Sequence, residues 1–178
     1  GSVTKSFTSA AVAVLVDDGK MRWDAPITDY LPWFELPIDR GDEVEEDSAV
    51  LVSDLLSHQT GFTRMHFLAV NNSISREETL RAAVLAEPWA EFRSEFLYNN
   101  VQYLASGYAA GVVDGTDWNT LVEERLFEPI GMKHTYTSRH RAPNEDMITL
   151  GYQWDEEAQE FDMYPLRTID NIGPAGSI

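Results

Sequence analysis

Ser2 and Lys5 set a hydroxyl and an amine three residues apart at the head of an apolar segment. Side chains at i and i+3 share one face of a helix. An amine within hydrogen-bond reach can take a hydroxyl proton, and helix N-terminal amides favour negative charge developing nearby, so the pair has the makings of an activated nucleophile. Tyr98-Asn99-Asn100 is the second such group. Asn100 stands where a helix cap belongs, with Tyr98 just outside the helix. A phenol titrates at about 10 and becomes a base only where cations stabilise the phenolate, a condition that Lys5 and Ser2 meet if they lie beside it. Each group also has an ordinary explanation: a capping Ser with a solvent-facing Lys, and an Asn cap beside a half-buried Tyr.

The elements that must position these residues are helical. Phe7, Ala10, Ala11, Val14 and Leu15 recur at helical spacing, which predicts a helix from Ser2 to about Asp18 with Gly19 just past its end. A short helix is expected from Ser53 to before Gly61, with Leu55 and Leu56 inward. Ser75-x-x-Glu78 forms a capping box ahead of Leu80, Ala83, Val84 and Leu85, stopping before Pro88. Asn100 precedes a stripe of Val101, Leu104, Ala105, Tyr108, Ala109 and Val112, closed by Asp114-Gly115. Asp117 opens a helix through Leu121, Val122, Leu126 and Phe127, ended by Pro129 and Gly131. Period two appears only late: Ile148, Leu150, Tyr152 and Trp154 alternate with polar residues, Glu156 to Glu160 reads as a turn, and Phe161 to Leu166 pairs back. The fold class is therefore mainly α with a small late β-hairpin, in a single domain spanning 1–178, with an acidic exposed loop over 33–50.

Composition narrows the partners. The 178 residues carry 13 Lys plus Arg against 30 Asp plus Glu, a net charge of −17. Such a surface repels phosphate backbones and anionic headgroups, which argues against nucleic-acid binding. The longest apolar run, Ala10 to Val16, is far short of the roughly 20 residues a spanning helix needs. With no Cys there is no disulfide or thiol nucleophile. His58, His66, His134 and His140 lack a compact ligand spacing, so no metal and no cofactor is expected, and His58 is expected to pack beside Ser57 in its turn. The five Trp are expected in the core or at an interface. Few Lys among many carboxylates suits a high-salt environment.

The order of segments resembles the serine β-lactamase and penicillin-binding-protein superfamily, in particular the class C β-lactamase-like esterases and peptidases. Gly1-Ser2-Val3-Thr4-Lys5-Ser6-Phe7-Thr8 looks like that family's nucleophile-helix start, and Leu15-Val16-Asp17-Asp18-Gly19-Lys20 with Trp23-Asp24-Ala25-Pro26 and Tyr30-Leu31-Pro32 its continuation. Leu55-Leu56-Ser57-His58-Gln59-Thr60-Gly61-Phe62, Phe96 to Tyr103, Phe127 to Met132 with Thr135, and Gly173-Pro174-Ala175-Gly176 match in the same order. The resemblance implies Ser2 as nucleophile, Lys5 and Tyr98 as the proton-handling pair, and Asn100 as a hydrogen bonder to substrate. The reaction implied is attack of Ser2 on an amide or ester carbonyl of a small molecule or peptide, through an acyl-enzyme that water resolves.

Two departures from that pattern shape the expectation. The family's third motif, Lys-Thr-Gly or His-x-Gly, does not occur; Lys133-His134-Thr135 lacks the Gly. The family also has strands before the first motif and a sheet after the last. The chain is therefore expected to be an internal segment, the helical lobe of an α+β β-lactamase/transpeptidase-like fold without its flanking sheet. Because one oxyanion donor belongs to that sheet, the segment alone is expected to be inactive. The alternative is a non-catalytic binding or regulatory member of the same fold, and a free-standing helical interaction module is a third reading.

Overall fold

The computed structural model describes residues 1–41, 48–65, 68, 72–142, 149–164 and 168–178. Helix α1 spans Thr4–Asp17, with Gly19 in the left-handed region at φ 71° just beyond it. Ser2 precedes the helix, in the turn that opens it: the N–H groups of Thr4 and Lys5 already donate to the carbonyls of Gly1 and Ser2. The buried face of α1 is rotated from the apolar stripe. Thr4, Lys5, Thr8, Ala11, Val12 and Leu15 are inside, while Phe7, Ala10 and Val14 are only half-buried. Polar side chains are carried inward because each finds a partner there. Thr8 Oγ1 donates to the Pro174 carbonyl at 2.7 Å and accepts from Trp118 Nε1 at 3.0 Å.

Helix α2 (Val52–Leu56) is held at its start by Asp54, which accepts from the Leu51 N–H at 2.8 Å and from Nε and Nη2 of Arg93 at 2.9 and 2.8 Å. Helix α3 (Arg76–Ala83) begins at the expected capping box: Ser75 Oγ accepts from the Glu78 N–H, and Glu78 accepts from the Ser75 N–H at 2.7 Å. Leu80 and Ala83 enter the core, and Leu85 is exposed.

The longest helix, α4 (Asn100–Asp114), occupies the centre. Residues 101–107 and 109–111 are all buried, so it is covered on every side and not along one stripe, as befits a helix with neighbours all round. Val112, expected inward, is half exposed. A side chain at Gly107 would collide with Pro174 and Trp118, which shows how closely α4 approaches the C-terminal segment. Asp117 caps α5 (Trp118–Val122) as expected, accepting from the Asn119 and Thr120 N–H groups. Pro129 does not end that run. The backbone widens into a π-helical turn over Glu123–Phe127, and Pro129 falls in the first turn of α6 (Glu128–Ile130), where a missing N–H breaks no bond.

Strands β1 (Gly151–Asp155) and β2 (Glu160–Tyr164) form the late antiparallel hairpin, with Tyr152 opposite Met163 and Trp154 opposite Phe161. Ile148 and Leu166, expected at its ends, lie outside the described residues, as do His66 and Asp42 to Asp47 of the acidic segment. In 33–50, Phe34 and Val50 are buried and no helix or strand occurs among the described residues. After a 3-10 turn at Asp170–Ile172, the short helix α7 (Gly173–Gly176) packs against α1 and α4. The architecture is mainly helical with one small hairpin, and among the described residues no helix is long and apolar enough to cross a membrane.

Candidate active site

Three elements converge where α1 begins. The opening turn of α1 supplies Ser2 and Lys5, the chain entering α4 supplies Tyr98 and Asn100, and α7 supplies a carbonyl. Ser2 Oγ and Tyr98 Oη share a hydrogen bond of 2.6 Å, although 96 residues separate them. Lys5 Nζ donates to Ser2 Oγ at 3.3 Å, to Asn100 Oδ1 at 2.7 Å and to the Ala175 carbonyl at 2.8 Å. An ammonium has three N–H bonds, and each has an acceptor here. That arrangement explains how Lys5 is buried to 7% exposure with no carboxylate paired to it among the described residues. Ser2 itself is exposed, so its hydroxyl faces solvent on one side and its two polar partners on the other.

The ordinary explanation of the first group does not survive, whereas that of the second holds in part: an Asn does cap α4 beside a half-buried Tyr98. Ser2 makes no capping hydrogen bond to α1, and Lys5 does not face solvent. The cap of α4 is Asn99, one residue before the expected position: its Oδ1 accepts from the Val101 N–H at 2.7 Å. Asn100 is the first helical residue and its side chain is turned to Lys5. All four residues singled out in the sequence, Ser2, Lys5, Tyr98 and Asn100, are thus in one hydrogen-bonded group.

Burial works to raise the pKa of Tyr98. The hydrogen bonds with Lys5 and Ser2 and the charges of Lys5 and Arg64 outweigh it, so the phenol lies below its ordinary value of 10. The Lys5 ammonium sits 4.7 Å from the centre of the Tyr98 ring and the Arg64 guanidinium 5.3 Å from it. A hydroxyl bonded to a phenol of lowered pKa is one whose proton can be moved, and a cation beside the phenolate stabilises the product of that transfer.

Two participants were not legible in the sequence. The Ala175 carbonyl takes one of the three Lys5 bonds, yet a backbone oxygen leaves no mark in residue type; only the Gly173-Pro174-Ala175-Gly176 match drew attention to that segment. His58 is the other. It does not simply fill its own turn beside Ser57 but is buried against the Tyr98 ring, with centroids 4.7 Å apart. Burial, chiefly, and the nearby Lys5 charge drive its pKa down to about 4, against a smaller opposing contribution from Gln102.

A family model described as Beta-lactamase matches residues 1–175. The chain belongs to the beta-lactamase family. Among curated relatives, this beta-lactamase-family chain is 26% identical over 191 residues to the unguisins hydrolase ungD' of Aspergillus campestris (strain IBT 28561), covering 99% of the chain and 34% of the relative. It is 28% identical over 189 residues to penicillin-binding protein 4 of Amycolatopsis lactamdurans, covering 100% of the chain and 46% of that protein. The octameric penicillin-binding protein homologue from Pyrococcus abyssi superposes with a TM-score of 0.75 at 25% identity, over 93% of this chain and 38% of that one. The fold is also that of FmtA from Staphylococcus aureus, with a TM-score of 0.82 at 19% identity over 99% of this chain and 46% of FmtA. The chain spans between a third and a half of the length of these relatives.

Proposed function

We propose that this chain carries the nucleophile and the proton-handling residues of a serine hydrolase that works through an acyl-enzyme on Ser2. The observation that carries the reading is the 2.6 Å contact between Ser2 Oγ and Tyr98 Oη beside a buried Lys5 ammonium. In the reaction, the Ser2 O–H bond breaks and its proton passes to the Tyr98 oxygen as Oγ bonds to the substrate carbonyl carbon. The tetrahedral intermediate then expels an amine or alcohol, which takes the proton from Tyr98. Water attacks the resulting ester and gives its proton to Tyr98, and as the acid leaves Ser2 Oγ takes that proton from Tyr98, which restores the starting state. Tyr98 begins as the phenolate, and Lys5 stabilises that charge whenever the proton is away from Tyr98, while Asn100 both orients Lys5 and offers its amide N–H groups to the substrate.

Tyr98 is the better placed of the pair to take the proton. It is 0.7 Å nearer to Ser2 Oγ than Lys5 is, the difference between 3.3 and 2.6 Å, and the three N–H bonds of Lys5 are already directed at acceptors. The names of the relatives, a hydrolase and a penicillin-binding protein, support an amide or ester carbonyl as the group attacked.

The test is covalent labelling by a fluorophosphonate or a penicillin in the protein that contains this chain. Ser2→Ala should abolish labelling and Tyr98→Phe should slow it by roughly 10²–10⁴-fold, the span of a positioned proton acceptor. The labelling rate should rise with pH to a plateau reached below pH 10. Labelling that survives Ser2→Ala removes the assignment.

A further inference from the structure

His58 has no hydrogen bond to Ser2 or Lys5 among the described residues, yet it holds the residues on both sides of Tyr98. Its carbonyl accepts the Leu97 N–H at 2.9 Å, and its Nδ1 accepts the Asn99 N–H at 3.1 Å. Between these two bonds its ring lies against that of Tyr98, with Phe96 edge-on at 5.2 Å and Tyr103 at 5.2 Å closing the other sides. Asn99 is fixed further by its own amide, which donates to the Thr63 carbonyl while its oxygen caps α4. Tyr98 is therefore suspended between two backbone attachments, and one of them is a side-chain nitrogen.

We infer that His58 is the positioning residue of this site, setting the distance from Tyr98 Oη to Ser2 Oγ by accepting the Asn99 N–H through Nδ1. The inference rests on the hydrolase reading for its consequence in catalysis, and on geometry alone for its consequence in the placement of Tyr98. Residue type matters on two counts. The backbone at His58 is left-handed, with φ 60°, a region where Asn, Asp and His are over-represented among residues with a side chain. The ring nitrogen nearest the backbone must also be an acceptor, because its partner is a peptide N–H. Hence the ring is uncharged, and any proton on it resides on Nε2. A cationic ring would turn a second donor against the Asn99 N–H and stand beside the Lys5 ammonium. The charged and titratable groups around it are Lys5 from α1, Tyr98 from the loop and Tyr103 from α4, with the Gln102 amide facing it as well.

Asn substitutes for this geometry: it tolerates a left-handed backbone, and its Oδ1 stands where Nδ1 does. Gly tolerates the backbone but offers no acceptor, and Gln offers a polar group at the reach of Nε2 instead. Two measurements separate these variants. The first is the rate of Ser2 labelling by a fluorophosphonate in the protein that contains this chain. The second is the ionisation midpoint of Tyr98 in the chain itself, followed by tyrosinate absorbance against the same chain carrying Tyr98→Phe. His58→Asn should hold the labelling rate within about threefold of wild type, whereas His58→Gly and His58→Gln should lose about 10²-fold, the effect of a displacement near 1 Å. In the latter two, Tyr98 should titrate closer to about 10, as a phenol leaving its cations does. Equal rates for the Asn and Gly variants, or an Asn variant as slow as Gln, overturn the inference. If wild-type protein does not label, the hydrolase reading fails alone. The Tyr98 midpoint then decides: unchanged in His58→Gly and His58→Gln, it overturns the role given to His58.

Discussion

Asn99 and Asn100 are adjacent and identical in type, yet they serve different partners: Asn99 caps α4 through Val101, and Asn100 takes the Lys5 ammonium at 2.7 Å. Their substitution should separate accordingly. Asn99→Ala should lower the stability to urea by about 0.5–2 kcal/mol, the usual loss of a helix cap. Asn100→Ala leaves the cap in place, so helix content by circular dichroism should hold while Ser2 labelling slows. Equal helix loss in both variants would contradict this division.

The pH dependence of stability follows from His58. Its folded pKa of about 4 lies below the ordinary 6.5, so the unfolded chain binds the proton first. The stability associated with an uncharged His58 is complete above pH 6.5 and is lost as pH falls to about 4. The whole loss is at most about 3 kcal/mol, at 1.36 kcal/mol per unit. Tyr98, Tyr103 and Gln102 line the ring with the Lys5 charge near it, and no carboxylate contacts it among the described residues, so only the smaller contribution of Gln102 offsets the charge. Urea unfolding of wild type and His58→Asn at pH 7 and pH 4.5 isolates this effect from the many carboxylates that titrate in both. Wild type should lose more stability than the variant on acidification; a constant difference would refute it.

Gly61 and Gly19 both have left-handed backbones, at φ 81° and 71°. A side chain at Gly19 meets nothing within 4 Å, whereas one at Gly61 would overlap the Ala90 carbonyl. The Gly61 carbonyl also accepts from the Trp89 and Ala90 N–H groups, the first of the backbone bonds between these segments that run on through Arg93 to Gln59 and Leu97 to His58. Gly19→Ala should cost about 1–2 kcal/mol for its backbone alone. Gly61→Ala should cost about 1–3 kcal/mol more, as a clash in a packed region does, and should slow Ser2 labelling, which Gly19→Ala leaves alone. Equal losses of stability in the two variants would show that the approach to Ala90 is unimportant.

How much of this was legible in the sequence depended on the range of the interaction. Local features were: the Ser75–Glu78 capping box, the Asp117 cap and the existence of the late hairpin follow from neighbours a few residues apart. The buried face of α1 was not, because Thr8 is inside only by virtue of Pro174 and Trp118, more than a hundred residues away. The apolar stripe therefore pointed about one position off. Nor was the choice between Asn99 and Asn100, since both have the same capping propensity and Lys5 decides between them. The four candidate residues were singled out by type and spacing and given roles by the order of segments shared with a family, while His58 carries no local signal that separates a turn residue from one that holds Tyr98.

The net charge of −17 has a consequence for salt. Described ion pairs such as Arg125 with Asp18 at 2.7 Å, and Lys20 with Asp114 at 3.6 Å, are themselves weakened by screening. The excess of carboxylates is larger, however, and its self-repulsion falls as the Debye length shrinks from about 10 Å at 0.1 M to about 3 Å at 1 M. We propose adaptation to high salt on that basis. The melting temperature should rise through a KCl titration from about 0.1 M to molar concentrations, where screening is most complete. A flat or falling curve would remove the proposal and leave the hydrolase reading intact, because the two rest on different residues.

The bond from Trp118 to Thr8 gives the chain its own optical reporter. Trp118 is 1% exposed, whereas Trp23, Trp89 and Trp154 are open to solvent at 39%, 77% and 43%. A neutral quencher, which a surface of this charge does not repel, extinguishes the emission of the open indoles and leaves a shielded fraction from Trp118 and the half-buried Trp33, which Trp33→Phe reduces to Trp118. Because Thr8 passes its own hydrogen to the Pro174 carbonyl, one residue before the carbonyl that accepts from Lys5, that residual fluorescence follows the docking of α7 onto α1. The integrity of the Lys5 environment can thus be watched in real time without attaching a dye.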